Sequence, residues 1–140
     1  PDQSSRYADA SRDRNPIHLD PEFARKAGLG DVILHGLCTM AMSGRSVLEL
    51  VGDGDPRRLT RLSVRFSKPV RNGSTLPTRA WRTEGGVKFT ILDESGEPVI
   101  THGLAEITIF HRRLTDYCSW KNRIPPMSYC CYMENRVIAR

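Results

Sequence analysis

The sequence predicts an α+β fold with an antiparallel sheet packed against one long helix. Apolar residues recur at helical spacing from Leu37 to Val51, and from Leu59 onward the apolar period shortens to two. The helical patterns all precede the strand patterns, so the long helix is the natural element for the sheet to cover. A chain of 140 residues, 39% of them hydrophobic, is long enough for one such core and too short for two ordinary ones.

Asp2 stands as an N-cap before Gln3 to Ala10, a short helix ending near Ser11. Asp13-Arg14-Asn15-Pro16 then breaks the chain, because the proline keeps Asn15 out of the helical region. Asp20-Pro21-Glu22 combines an N-cap, a proline at the first helical position and an acid in the first turn, and Gly28 can close that second helix. Asp13 to Asp20 is therefore a loop between helices. Val32-Ile33-Leu34 is extended, and Gly36 opens the long helix, whose apolar face is Leu37, Met40, Ala41, Gly44, Val47, Leu48 and Val51.

Leu62, Val64 and Phe66 alternate with Ser63, Arg65 and Ser67 in the first strand. Thr75 to Trp81, Val87 to Leu92 and Val99 to Phe110 follow, separated by Asn72-Gly73, Glu84-Gly85-Gly86 and Asp93-Glu94-Ser95-Gly96. These spacings describe an antiparallel meander. From His111 neither period persists and Pro125-Pro126 intervenes, so residues 1–111 are expected to form the domain and residues 112–140 a tail without an assigned structure.

The net charge of +5 does not describe the body of the chain. Arg112, Arg113, Lys121, Arg123, Arg136 and Arg140 face only Asp116 and Glu134, which places four of those five charges in the tail. No nucleic-acid partner is expected for so nearly neutral a body. No apolar run approaches the ~20 residues that cross a bilayer, and the first residues lack a secretory pattern, so a soluble cytoplasmic protein without a membrane partner is expected. Cys118, Cys130 and Cys131 lie in the tail and Cys38 in the body; neither a disulfide framework nor zinc-ligand spacing results.

Singly, Asp13 reads as a turn residue and His18 as a partner of the local backbone. Together, a carboxylate and an imidazole across an Asn-Pro bend offer a proton acceptor and a tunable donor in one small space. Gly36 lies where a helix begins, and its backbone N–H can point at an anion with no side chain in the way; the alternative is that it only lets an extended segment turn into a helix. Ser11, Ser43 and Ser46 lack a nucleophile-elbow context, and Gly52-Asp53-Gly54-Asp55 is too short for a phosphate or calcium loop.

Tyr7-Ala8-Asp9-Ala10-Ser11-Arg12-Asp13-Arg14-Asn15-Pro16-Ile17-His18, with Asp20-Pro21-Glu22-Phe23-Ala24 and Ile33-Leu34-His35-Gly36-Leu37-Cys38-Thr39-Met40, resembles the hydratase signature of the MaoC-like family, which includes the (R)-specific enoyl-CoA hydratases. The likeness continues weakly through Val64 to Val70 and Gly73 to Leu76. It implies a hot-dog fold, with an antiparallel sheet wrapped around a central helix at Gly36 to Val51. It also implies a hydro-lyase of fatty-acid metabolism that hydrates a trans-2-enoyl-CoA reversibly to the (3R)-3-hydroxyacyl-CoA. Asp13 and His18 would hold and activate the water, Asn15 would fix the loop, and the Gly36 N–H would face the thioester oxygen. No metal or bound cofactor is expected, coenzyme A entering only as part of the substrate, and a homodimer is the expected assembly.

Three departures accompany the resemblance. Arg12 stands where the family usually has glycine, the strand that normally precedes the first helix is missing, and the tail has no counterpart. A missing strand implies an unpaired sheet edge or pairing with another chain. Two other functions stay open: a non-catalytic acyl-thioester-binding or scaffolding domain, and a hot-dog thioesterase.

Overall fold

The computed structural model describes residues 2–84 and 86–108 and the backbone of residues 132–138. Its helices are α1 (Gln3–Ser11), α2 (Pro21–Lys26) and α3 (Gly36–Val51), and its strands β1 (Leu59–Phe66), β2 (Thr75–Thr83), β3 (Gly86–Leu92), β4 (Pro98–Ile107) and β5 (Tyr132–Ile138). All pairings are antiparallel, in the order β1-β4-β3-β2-β5. The expected α+β hot-dog arrangement is the observed one, with α3 lying against β1, β2, β3 and β5.

Helix α3 buries Cys38, Thr39, Ser43, Gly44, Ser46, Val47 and Leu48. The small residues among them let the helix approach the sheet closely: a Cβ at Gly44 would meet Leu62 at 2.9 Å, and Ser46 donates to Thr78 Oγ1 at 2.8 Å, which satisfies two buried hydroxyls. Phe89, Leu76, Ile91, Ile100 and Val99 fill the space beneath. Phe89 pairs with Gly103 across β3 and β4, and a Cβ there would lie 2.6 Å from the ring.

Strict alternation fails in β4, where Val99 and Ile100 are both buried. Three residues of β4 oppose two on each neighbour (Arg65↔Thr101 to Ser63↔Leu104, and Ile91↔Ile100 to Phe89↔Gly103), and His102 has φ 51. This is a bulge. Such a bulge bends its strand and increases the local twist.

Two local expectations need correction. Asp2 makes no side-chain capping bond; the Ser4 N–H at the start of α1 is met instead by Asn72 Oδ1 at 3.0 Å, from the connection between β1 and β2. Asp13 to Asp20 is not wholly irregular, since Pro16–His18 forms a 3₁₀ turn. Asp20 caps α2 as expected, accepting from Glu22 N and Phe23 N, and Gly28 at φ 80 lets Leu29 N reach back to Ala24 O.

In the tail, to which the sequence assigned no structure, β5 pairs with β2 from Thr75↔Ile138 to Trp81↔Tyr132. The β2 edge is thus covered from within the chain. Pairing of this kind is carried by main-chain hydrogen bonds, which leave no mark in a hydrophobic period. The boundary expected at residue 111, and Cys118, Cys130 and Cys131, lie outside the described residues. Cys38 is a buried free thiol, its pKa raised by burial and partly offset by the Gln3 side-chain amide. No described helix is long and apolar enough to cross a membrane.

Candidate active site

The loop after α1 is built by successive side-chain caps. Ser11 Oγ donates to Tyr7 O and accepts from Asp13 N, Asp13 Oδ1 accepts from Asn15 N, and Asn15 Oδ1 accepts from Ile17 N. Each short polar side chain closes a turn that the backbone cannot close alone. Asn15 therefore lies in the loop as a bracing residue, and its side chain turns toward Ile17. Arg12 enters this loop in the left-handed region, at φ 64 and ψ 12, a conformation that favours glycine.

The result is an exposed Asp13 beside two buried imidazoles. His18 Nδ1 bonds Ile33 O at 2.8 Å, and His35 Nε2 bonds the main-chain oxygen of Asp13 at 2.9 Å. A carbonyl only accepts, so both of those nitrogens are N–H donors. The neutral His18 ring then carries its lone pair on Nε2. The two rings stack with centroids 3.8 Å apart and planes 24° from parallel, and Tyr7 lies 4.8 Å from His35 on centroid distance.

His18 and Gly36 line a cavity of about 370 Å³, together with Leu34, Thr39, Phe66 and Val99. Gly36 is the first residue of α3, and a Cβ there would sit 3.3 Å from the Phe66 ring. The His35 side chain makes no capping bond to α3. A larger cavity of about 500 Å³, lined by residues such as Val51, Thr60, Arg82 and Val87, lies toward the other end of α3 and shares no residue with the histidine cluster.

The four residues singled out in the sequence divide clearly. Asp13 and His18 are brought together, with His35: a ligand atom from each lies within 4.8 Å of the others. Gly36 borders the same cavity as His18, while Asn15 supports the loop. His35 was not singled out for a role of its own. Its partner Asp13 is 22 residues away, and only the neighbouring histidine in the folded loop reveals the contact. The three side chains do not form a ready metal chelate, because imidazole lone pairs lie in the ring planes and nearly parallel stacked rings do not aim at one ion.

Residues 1–102 match the model of the MaoC like domain. The chain belongs to the MaoC-like family. Peroxisomal multifunctional enzyme type 2 of Mus musculus is 43% identical over 98 residues, 69% of this chain and 13% of that protein. 3-Hydroxyacyl-thioester dehydratase Y of Mycobacterium tuberculosis is 49% identical over 77 residues, 54% of this chain and 27% of that one. Among solved structures, full-length peroxisomal multifunctional enzyme type 2 of Drosophila melanogaster superposes with a TM-score of 0.72 at 38% identity, covering 76% of this chain and 20% of that chain. The (R)-hydratase of A. caviae involved in PHA biosynthesis gives 0.59 at 25% identity, covering 76% and 85%. The MaoC-like chain thus spans about a quarter or less of the mouse, mycobacterial and fly proteins it matches.

Proposed function

We propose that this domain adds water reversibly across the double bond of a trans-2-enoyl-CoA, giving the (3R)-3-hydroxyacyl-CoA. The observation that carries the reading is the approach of Asp13 to His18, which lines a cavity walled also by the first residue of α3. A carboxylate and a neutral imidazole nitrogen are both acceptors, so one water can donate a hydrogen to each. Its lone pair is then left for carbon. The names of relatives such as 3-hydroxyacyl-thioester dehydratase Y and the (R)-hydratase of A. caviae support the same substrate and stereochemistry.

In the forward direction Asp13 takes a proton from the water as its oxygen bonds the β-carbon, and the π electrons move onto the thioester oxygen. His18 Nε2 holds the second O–H. The Gly36 N–H, at the positive end of the α3 dipole, stabilises the resulting enolate. Protonated Asp13 then returns its proton to the α-carbon on the face that received oxygen, so one H and one OH have been added and nothing has been oxidised. Asn15 fixes the loop through its bond from Ile17 N. No metal or bound cofactor enters these steps.

We also propose a homodimer. Leu37 and Phe66 are 63% and 49% exposed, Phe66 at the cavity, and β1 is an edge of the sheet among the described residues. The function is tested by chiral analysis of the product from crotonyl-CoA with free thiol followed in parallel. The (3R)-hydroxy thioester without thiol release is expected. Thiol release would indicate a thioesterase, and tight binding without turnover would indicate an acyl-thioester-binding domain.

A further inference from the structure

We infer that His35 is a positioning residue of this site, held as the neutral Nε2–H tautomer to set both Asp13 and His18. The inference rests on the hydratase reading for its kinetic consequences and on geometry alone for the tautomer.

His35 is 2% exposed, and its two nitrogens have opposite surroundings. Nε2 donates to Asp13 O at 2.9 Å, whereas Nδ1 is buried without a hydrogen-bond partner among the described residues. A proton on Nδ1 would be a buried donor with nothing to meet it, and the ring would carry a buried charge against the face of His18. A bare lone pair avoids both costs. His18 has the complementary arrangement, with Nδ1–H on Ile33 O. The stacked rings thus carry their protons on opposite nitrogens.

This places three constraints through one side chain. The Nε2–H pins the main chain of Asp13, the ring face fixes the plane of His18, and Tyr7 backs His35. Asp13 needs this support because its own loop is exposed and entered through Arg12 at positive φ. His18 lines the cavity, and His35 bears on the site through the main chain of Asp13 and the ring face of His18.

Two variants separate its contributions. His35→Phe keeps a ring against His18 and removes the donor to Asp13; His35→Gln keeps a donor and removes the ring. With crotonyl-CoA, His35→Phe is expected to lower kcat about 100-fold, the scale of a 1 Å misplacement, with KM within about twofold. His35→Gln is expected to recover part of that loss. Nitrogen-15 NMR of the wild-type imidazoles near pH 8 should show His35 protonated on Nε2 and His18 on Nδ1. Wild-type kcat in a folded His35→Phe protein, or His35 protonated on Nδ1, would overturn the assignment. Should His35→Phe not fold, the NMR pattern and His35→Gln decide it. A wild-type protein that hydrates no enoyl thioester would remove the proposed function, and the NMR pattern would still uphold or overturn the placement of His35.

Discussion

The imidazole of His18 lies on that of His35, with ring centroids 3.8 Å apart. One ring faces the cavity and the other holds the main chain of Asp13, so two loops distant in sequence act as one rigid unit. Around that unit the structure makes several specific demands on single residues.

Arg12 adopts φ 64 at the C-terminal end of α1. A side chain there costs about 1 kcal/mol relative to glycine. Arg12→Gly is therefore expected to raise the stability measured by urea denaturation by about that amount, and to leave the Asp13 loop competent. A loss of stability would show that the Arg12 side chain makes a compensating contact.

Gly36→Ala puts a methyl 3.3 Å from the end of the Phe66 ring. Phe66 is 49% exposed and can give way, so the unfolding free energy should change by less than about 1 kcal/mol. The methyl still occupies space beside the cavity. Steady-state kinetics should show KM raised about tenfold, equivalent to about 1.4 kcal/mol of binding, with kcat little changed.

Gly103 and Phe89 form a tight contact across the sheet, where an added Cβ would lie 2.6 Å from both the ring and the Phe89 carbonyl oxygen. Gly103→Ala should destabilise by about 1–3 kcal/mol and Phe89→Ala by about 3–5 kcal/mol in denaturant titrations. The double variant should lose less than the sum, because removing the ring relieves part of the clash.

The Asp55 carboxyl is held down at about 2 by the Arg57 side chain first and by the Arg57 backbone N–H second. A depressed folded-state value contributes stability above the unfolded value of about 3.9, and that contribution is lost as pH falls from about 4 to about 2. Carboxyl carbon NMR should place the midpoint near 2. Arg57→Ala should move it up toward the ordinary range, and near neutral pH neither protein's stability should vary with pH on account of this pair.

Much of this architecture was legible in the sequence because it follows from local chemistry. Asp20 with Pro21 caps α2, Asn15 before Pro16 turns the loop, and the period-two runs after Leu59 mark four strands within a few residues of their observed ends. What escaped depends on distance. Asn72 rather than Asp2 meets the start of α1, Val99 and Ile100 are both buried where the pairing shifts from Leu92↔Pro98 to Ile91↔Ile100, and β5 joins β2 through its main chain. Around the cavity, residue type and resemblance pointed to Asp13, His18 and Gly36 as candidates. His35 was not among them, because its role consists of a contact to a main-chain oxygen and a ring face.

The central claim is most directly tested by following the conjugated-thioester absorbance of crotonyl-CoA with wild-type protein, Asp13→Asn and His18→Ala side by side. Wild-type protein should remove the absorbance, and each variant, folded by circular dichroism, should be slower by at least about 100-fold, as expected for loss of a positioned proton acceptor. Wild-type turnover by either folded variant, or none by the wild-type protein on short and long enoyl chains, would contradict the assignment of Asp13 and His18 as the water-activating pair.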